Sequence, residues 1–508
     1  MDGIVAAPDH EIVIVGGGFS GIGAAILLDR AGFSDCLLVE DGDGLGGAWH
    51  WNTYPGVGVD IPSFSYQFSF DQRSDWSRIY APGRELKRYA DDVARRFRVT
   101  DRTRLNTRVI AADFDEAADA WRLRTNDGDT ITARHVVSAT GVLTQPKRPD
   151  IAGIDDFAGD VLHTARWDHS LDLRGRRVAV IGTGASAVQA IPEIAEIAEH
   201  LTVFQRTPIW CMPKPDAPIP AAVRTALARI PGARRVARTV SQAFVEVNFP
   251  LPAHFNGVVP IASAGEKLAR GYLRRTVHDP VTRDKLTPRY AMGCKRPSFS
   301  NAYLPTFNRD DVALETSPIE RIEATGIRTA DGTLHECDVL VLATGFKVFE
   351  KGNMPPFDVR GVGGRDLDTY WAENRLQAFH GVSVPGFPNL FTILGPYAYN
   401  GSSYFNLIET QSRHIVRCLQ RARSVDATRV EVTEEANAEY LRSMLSRRGN
   451  QVFFQGGCGS ANSYYFDDHG DVPFRASTTL ETMWSSRRFD LGAYEFSSVG
   501  DREPSAVR

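Results

Sequence analysis

The chain has 508 residues, of which 43% are hydrophobic and 24% charged, a composition close to that of soluble globular proteins. This length exceeds one ordinary hydrophobic core, so we expect about two to four domains and exclude a small binding module. The 58 Lys and Arg residues against 62 Asp and Glu residues leave a formal net charge of -4, which offers no overall field for nucleic acid.

Cysteine usage and hydropathy restrict the class of protein further. The six cysteines include no CxxC pair, which argues against a disulfide framework, a structural zinc site and a dithiol redox centre. The first ten residues lack the basic start and apolar core of a signal peptide, and no apolar run reaches the roughly 18 residues of a membrane span. We therefore expect a cytoplasmic protein with no membrane span and no metal site.

A strand, a glycine-rich turn and a helix follow one another near the start. The predicted strand 11–15 runs into a GxGxxG turn at 16–21, and an Ala/Ile/Leu-rich helix continues to about Arg30. Glycines let the backbone approach a pyrophosphate, and the helix N-terminus supplies amide donors. A second strand, 36–39, ends at an acid placed to accept from a ribose hydroxyl. The candidate dinucleotide ligands are Gly16, Gly18, Phe19, Ser20, Gly21 and Glu40.

The same pattern recurs in the middle of the chain. A strand at 178–181 leads into the turn 182–187 and a helix, and the next strand covers 201–205. The residue 24 positions after the first glycine is Glu40 in the first unit (40 − 16) and Arg206 in the second (206 − 182). A guanidinium forks onto a 2′-phosphate, so the second unit is predicted to bind NADP. Its candidate ligands are Gly182, Gly184, Ala185, Ser186, Arg206 and Thr207.

Both units also end in the same sequence pattern. Hairpin signals ending at Gly128 and Gly332 each stand 13 residues before the last glycine of an Ala-Thr-Gly, at Gly141 and Gly345. We predict an α/β fold with two Rossmann-like dinucleotide-binding domains, each carrying a β-hairpin or meander insertion, plus a helical insertion. The predicted bounds are 1–145 and 340–508 for the FAD-binding domain, 150–213 and 291–339 for the NADP-binding domain and 214–290 for the helical insertion, with a charged, loop-like end at 501–508.

Two dinucleotides in one chain indicate hydride transfer from a nicotinamide to a flavin, so the predicted cofactors are FAD and NADPH. Flavin disulfide reductases need a redox cysteine pair, and none stands at short spacing in this sequence. Dioxygen is therefore the expected electron acceptor.

A family resemblance enters at residues 157–168, FAGDVLHTARWD. This segment resembles the FxGxxxHxxxW(P/D) fingerprint of the type I Baeyer–Villiger monooxygenases, which belong to the class B flavoprotein monooxygenases, and it stands just before the second glycine-rich turn, as in that family. The related flavin-containing monooxygenases carry Phe or Tyr in the Trp slot. The fingerprint positions are Phe157, Gly159, His163, Trp167 and Asp168.

The resemblance extends over nearly the whole chain. Residues 46–63 look like the family's flavin-contacting stretch, and residues 293–296 look like the segment with its active-site arginine. The resemblance implies that Arg296 stabilises a flavin peroxide, that Asp60 orients the arginine, and that Lys295 contacts the 2′-phosphate of NADPH. It also implies that the fingerprint histidine couples domain movement to NADP position. The flavin-contacting candidates are Gly47, Trp49, Tyr54 and Asp60.

The implied reaction inserts one oxygen atom of O2 next to a carbonyl and converts a ketone into an ester or lactone. We expect a monomer or homodimer acting on small apolar ketones or aldehydes, or on thioethers, through a pocket that includes 397–404 and 462–466. Two departures bear on this pocket and on cofactor closure, because Ala48 replaces a usual Thr and Tyr464 stands where many members have Trp. Alternative readings are an S- or N-oxygenating flavin monooxygenase, an uncoupled NADPH oxidase and a non-enzymatic nucleotide sensor.

Overall fold

The computed structural model describes residues 7–258 and 260–499, so the predicted loop-like end at 501–508 lies outside the described residues. The strands are β1 (His10–Val15), β2 (Cys36–Val39), β3 (Thr103–Arg104), β4 (Val109–Asp115), β5 (Ala120–Thr125), β6 (Thr130–Ser138), β7 (Asp160–His163), β8 (Arg177–Ile181), β9 (His200–Phe204), β10 (Cys211–Met212), β11 (Ser298–Phe299), β12 (Val312–Glu315), β13 (Ile319–Glu323), β14 (Gly326–Thr329), β15 (Leu334–Glu336), β16 (Val339–Leu342), β17 (Asp358–Arg360), β18 (Leu390–Thr392), β19 (Arg429–Val432) and β20 (Tyr494–Ser497). The α-helices are α1 (Phe19–Arg30), α2 (Ala48–Trp51), α3 (Gly83–Arg96), α4 (Ala185–Ala195), α5 (Ala221–Arg229), α6 (Ala233–Asn248), α7 (Pro250–His254), α8 (Ile261–Thr276), α9 (Pro280–Lys285), α10 (Tyr303–Thr306), α11 (Leu367–Asn374), α12 (Tyr404–Ser424), α13 (Glu434–Ser446) and α14 (Thr479–Arg488).

The first sheet has eight strands. Seven of them follow the order β17-β4-β5-β6-β1-β2-β3, and the eighth, β18, pairs with the C-terminal end of β6. Strand β1 is parallel to both β2 and β6, and its residues Ile12 to Val15 are almost fully buried. Helix α1 crosses from β1 to β2, which is the βαβ unit that the first glycine turn predicts. Because β17 and β18 come from beyond residue 345, the chain returns to this sheet, as predicted.

The second sheet contains five parallel strands in the order β12-β9-β8-β16-β7. Helix α4 crosses from β8 to β9, and β16 pairs with β8 just as β6 pairs with β1. Strands β4 to β6 and β13 to β15 form the two antiparallel meanders at the predicted hairpins. The predicted fold class is confirmed, whereas the domain bounds stay a prediction.

Two chain segments run side by side where the polypeptide passes from one sheet to the other. The backbone N–H of Lys147 donates to the carbonyl of Gly345 at 2.8 Å, and that of Lys347 donates to the carbonyl of Gln145 at 3.1 Å. We call residues 145–147 and 345–347 the crossing segments. They follow closely on the two Ala-Thr-Gly sequences, so the chain passes between the two domains along two paired segments.

Helices α5 to α9 form the predicted helical insertion, and β10 pairs with β11 to bring its two ends together. The inner face of α6 packs on the first domain. Arg234 donates to the carbonyl of Gln72 at 2.7 Å, and Arg238 donates to Asn406 Oδ1 at 2.9 Å. These domain contacts were not predicted, because residue spacing alone does not tell which side of a helix meets a neighbour.

The expectation drawn from the cysteines is wrong for one pair. Cys294 and Cys458 form a disulfide across 164 residues of sequence, and the other four cysteines are free and buried. A CxxC motif identifies only cysteines that are close in sequence, whereas the tertiary fold brings Cys294 and Cys458 together. The bond links the segment that carries Lys295 and Arg296 to the C-terminal part of the chain.

Across the described ranges 7–258 and 260–499, no helix combines the length and the apolar character that crossing a membrane requires.

A tight backbone contact supports the edge strand β7. A Cβ added to Gly159 would lie 2.4 Å from the carbonyl oxygen of Asp338 and 2.8 Å from the ring of Phe157. That carbonyl also accepts from the N–H of Asp160 at 3.2 Å, so it is held in place. The fingerprint glycine therefore has a packing reason that is independent of any ligand.

We predict that Gly159→Ala lowers the thermal unfolding midpoint, because overpacking against fixed backbone costs about 1–3 kcal/mol. Gly271→Ala is the matched control, since Gly271 lies inside α8 with nothing within 4 Å of an added Cβ. That control should gain about 0.5–1 kcal/mol from helix propensity and raise the midpoint. Calorimetric midpoints that shift in the same direction for both variants would contradict this assignment.

Candidate active site

The turn after β1 forms an open backbone cradle. Gly16 has φ +109°, and a Cβ there would lie 2.7 Å from the carbonyl oxygen of Ala139, so the turn packs directly on the first Ala-Thr-Gly. Gly18 is the N-cap of α1 and carries no side-chain cap, and a Cβ on Gly47 would lie 2.8 Å from its Cα. The amide groups at the start of α1 therefore face a surface that glycines keep free of side chains.

Glu40 lies directly beside this turn. Its carboxylate accepts from the N–H of Gly17 and, at 2.8 Å, from the N–H of Gly42. Burial raises the pKa of Glu40, and the two backbone N–H groups oppose that rise. Glu40, the predicted ribose acceptor, is thus held at the end of β2 by hydrogen bonds from the glycine-rich turn and from Gly42.

The side chain of Phe19 points into the core. Phe19 is 4% exposed, and its ring packs against Phe405 and Tyr89. The hydroxyl of Ser20 lies 2.8 Å from that of Tyr404. Gly21 packs so closely on the carbonyl oxygen of Gly16 that a Cβ would lie 1.9 Å from it.

The turn after β8 repeats the first cradle. Gly182 has φ +118°, and a Cβ there would lie 2.4 Å from the carbonyl oxygen of Ala343 in the second Ala-Thr-Gly. Gly184 is the uncapped N-cap of α4, and a Cβ there would meet nothing within 4 Å. Gly184 and Ala185 are exposed and Ser186 is half-buried, so the start of α4 is accessible from outside.

Cationic and hydroxyl groups lie beside the second turn. Burial, and then the charge of Arg206, lower the pKa of Lys295 to about 8, so Arg206 lies within electrostatic reach of Lys295. Thr207 accepts from Asn462 Nδ2 at 2.8 Å, and its carbonyl accepts from Thr183 at 2.7 Å. The structure therefore brings Arg206, Thr207 and Lys295 to one place, as an NADP-type phosphate site requires.

Arg296 and Asp60 form a bidentate ion pair. Nε donates to Oδ2 at 2.6 Å and Nη2 donates to Oδ1 at 3.0 Å, with side chains 21% and 29% exposed. Burial acts to lower the pKa of Arg296, but the carboxylate of Asp60, with Tyr399 and Tyr465 acting in the same direction, holds that pKa well above its usual range. The pair is partly buried and joins residues 236 positions apart, so it is a contact that the tertiary fold creates.

Lys214 is a functional candidate that sequence reasoning missed. Its ammonium donates to the carbonyl of Val59 at 3.2 Å and lies 4.9 Å from the centroid of the Tyr80 ring. Burial lowers the pKa of Lys214, and the charges of Asp216 and Asp60 oppose that change. Lys214 thus holds the backbone next to Asp60, and the only sequence signal was a lysine at the start of the insertion.

Aromatic side chains surround the ion pair. The guanidinium of Arg296 lies 4.8 Å from the centroid of the Phe249 ring. Tyr399 and Tyr465, from the two predicted pocket segments, both pack against Phe474, at centroid distances of 5.7 and 4.9 Å. Both tyrosines also raise the pKa of Arg296, after Asp60. The structure brings the two predicted pocket segments together beside the arginine.

Trp49 and Tyr54 of the predicted flavin-contacting stretch have different surroundings, since Trp49 contacts its own domain and Tyr54 contacts the second domain. Trp49 lies in α2, which begins directly after Gly47, and its indole N–H donates to the hydroxyl of Tyr66 at 3.2 Å. Tyr54 is buried and donates to Gln189 Oε1 at 2.8 Å, while Gln189 donates to the carbonyl of Gly58 at 2.9 Å. Because Gln189 belongs to α4, Tyr54 joins the two domains, a contact that one-dimensional spacing does not predict.

Among the remaining fingerprint residues, His163 lies at the connection between the domains. His163 ends β7, where its Nδ1 accepts from the N–H of Ala165 at 3.0 Å and its Nε2 lies 3.4 Å from Thr344 Oγ1. Phe157 is buried, Trp167 is half-buried against the second sheet, and the exposed Asp168 accepts from Ser170 at 2.7 Å.

The fingerprint also contains a residue that the motif does not specify. The guanidinium of Arg166 lies 4.2 Å from the centroid of the Trp51 ring in α2, so it reaches from the second domain to the first. No pattern in the sequence indicated this contact.

Comparison with known proteins places this geometry in a family. Residues 13–237 match the family model described as pyridine nucleotide-disulphide oxidoreductase. A Baeyer-Villiger monooxygenase of Streptomyces coelicolor is 35% identical over 494 residues, covering 96% of this chain and 93% of that protein. A second Baeyer-Villiger monooxygenase, of Pseudomonas aeruginosa, is 35% identical over 507 residues, covering 97% of this chain and 93% of that protein.

A solved structure shows the same relation in three dimensions. The structure of cyclohexanone monooxygenase from Rhodococcus sp. Phi1 bound to NADP+ is 28% identical with a TM-score of 0.85, covering 97% of this chain and 100% of that one. Identity above a third with the Streptomyces and Pseudomonas enzymes over nearly the full length leaves one conclusion: this chain belongs to the Baeyer–Villiger monooxygenase family.

Proposed function

We propose that this protein is an FAD- and NADPH-dependent monooxygenase that converts an apolar ketone into an ester or lactone. One oxygen atom of O2 enters the product, and the other leaves as water. The observation that carries the proposal is the partly buried, bidentate Arg296–Asp60 pair, since it keeps a permanent cation beside aromatic side chains.

The residues of the two cradles fit the two cofactors. Gly18 and Gly184 are uncapped helix N-termini, and glycines at both turns leave room that a Cβ would fill. Glu40 beside the first turn suits a ribose hydroxyl, which supports FAD there. The cations beside the second turn suit a 2′-phosphate, which supports NADPH there.

When bound, NADPH and FAD supply the hydride and the activation of dioxygen. Arg296 holds its proton at every working pH, because Asp60 keeps its pKa well above the usual range. A fixed cation with little exposure stabilises negative charge that develops on oxygen during attack on a carbonyl carbon, and it needs no solvent reorganisation to do so. Arg296 is therefore proposed as the catalytic cation.

Asp60 and Lys214 are proposed to position that cation. The two carboxylate oxygens of Asp60 fix the plane of the guanidinium. Lys214 anchors the backbone of Val59, the residue before Asp60, and so links the start of the helical insertion to the site. His163 and Arg166 are proposed to couple domain position to NADP binding through Thr344 and Trp51.

The substrate class, the location and the oligomeric state are also proposed. Tyr399, Tyr465, Phe249 and Phe474 favour small apolar ketones or aldehydes, with thioethers as a second class. A cytoplasmic location and a monomeric or homodimeric state remain predictions.

We predict that Arg296→Ala still allows NADPH to reduce the flavin but lowers ester formation about a hundredfold to a thousandfold. That loss is the usual cost of removing one preorganised charge-stabilising group. The measurement is anaerobic flavin bleaching by NADPH, followed by product analysis after air is admitted with a panel of cyclic and linear ketones.

Arg174→Ala is the control, since Arg174 is exposed and pairs only with Asp172 within the described chain. Ester formation retained in the Arg296 variant would refute the assignment of Arg296. Sulfoxide formation without any ester in the unaltered protein would instead favour heteroatom oxygenation, and hydrogen peroxide alone would favour an oxidase.

The pKa of Lys295 leads to a pH prediction. Since burial lowers this pKa from 10.5 to about 8, the free enzyme carries the ammonium below that pH and loses it above. Losing one charge-assisted phosphate contact weakens binding about tenfold or more, so the KM for NADPH should rise as the pH passes about 8.

Two controls isolate that effect. The KM for NADH, which lacks the 2′-phosphate, should not show the same rise. Lys295→Arg keeps its charge throughout and should flatten the profile for NADPH. A profile for NADPH that is unchanged in Lys295→Arg would assign the pH dependence to another group.

A further inference from the structure

Helix α6 presents an apolar stripe to solvent. Val236, Val240, Phe244 and Val247 recur at intervals of four, four and three residues, which places them on one side of a helix. All four are exposed, and Val240 reaches 66%. Helices of soluble proteins normally turn such a stripe toward the core, so this orientation needs an explanation.

The stripe is not needed to attach α6 to the protein. The opposite side of the helix already does so, because Ser241 and Val245 are buried and Arg238 bonds to Asn406. The outer stripe therefore adds apolar surface that the described fold does not use.

Helix α14 extends the same surface. Glu246 of α6 accepts from the backbone N–H of Thr479 at 3.0 Å and from its hydroxyl, so the start of α14 lies beside the C-terminal half of α6. Leu480 and Trp484, one turn apart, are 78% and 61% exposed. We call the six side chains of α6 and α14 the apolar face: Val236, Val240, Phe244, Val247, Leu480 and Trp484.

The free charges around the apolar face are positive. Residues 217–264 contain five arginines, of which Arg234 and Arg238 bond to the first domain, and a single acidic residue, Glu246, which is engaged by Thr479. Arg229, Arg235, Arg487 and Arg488 form no ion pair within the described part of the chain. Arg488 lies 5.7 Å from the centroid of the Trp484 ring, an arrangement of tryptophan and arginine that suits a membrane interface.

We propose that the apolar face docks on the surface of an anionic lipid bilayer. The apolar side chains enter the boundary between headgroups and acyl chains, and the surrounding arginines bind lipid phosphates. A second copy of this chain fits less well, because it would bring the same positive charges together. Docking does not depend on the proposed reaction, so either can fail without the other.

The test is co-sedimentation of the full-length protein with vesicles of equal parts phosphatidylcholine and phosphatidylglycerol, compared with pure phosphatidylcholine. We expect binding to the anionic vesicles that weakens with salt, and little binding to the zwitterionic ones. Val240→Glu should lower the partition coefficient about tenfold or more. Arg487→Gln combined with Arg488→Gln should lower it about 25-fold, at about fivefold for each arginine.

Val281→Glu is the matched control, since Val281 in α9 is 63% exposed but lies outside the apolar face. It should leave vesicle binding unchanged. Unaltered protein that stays in the supernatant, or equal losses in the two glutamate variants, would overturn the proposal. Concentration-dependent dimerisation that Val240→Glu abolishes and vesicles do not affect would also overturn it, and would assign the face to contact between copies.

Discussion

The architecture depends on backbone groups that approach one another more closely than any side chain permits. Gly16 packs on the carbonyl of Ala139, and Gly182 packs on that of Ala343. In both domains the turn after the first strand thus touches the end of the strand paired with it. This contact directs the N-terminus of the following helix toward open space, where an anionic ligand can reach its amide groups. The Ala-Thr-Gly sequences are consequently partners of the glycine turns.

Those same sequences also lead into the connection between the domains. The crossing segments pair through Lys147 and Gly345, and His163 of the fingerprint contacts Thr344 beside them. Tyr54 with Gln189, and Arg166 with Trp51, add side-chain contacts between the two domains. A change in the relative position of the domains would therefore alter all of these contacts. This dependence is a physical basis for coupling between the nucleotide sites.

The electrostatics of the site show burial and charge acting against each other. At Arg296 the carboxylate of Asp60 opposes burial and, with the neighbouring tyrosines, keeps the pKa high, whereas Lys295 pairs with no carboxylate among the described residues and its pKa falls to about 8. The two adjacent residues thus differ in how firmly they hold a proton. The disulfide at Cys294, immediately before them, fixes the backbone of this segment to the C-terminal part of the chain.

The sequence by itself determined the repeated βαβ units, the meanders, the return of the chain to the first sheet and the family. These features follow from local hydrophobic periodicity, glycine placement and contiguous motifs, all of which are written along the chain. Only the tertiary structure decided that Cys294 meets Cys458, that Lys214 supports Asp60, that Tyr54 joins Gln189 and that Phe19 turns into the core. Those contacts join residues far apart in sequence, and their formation depends on how the sheets and helices pack in three dimensions.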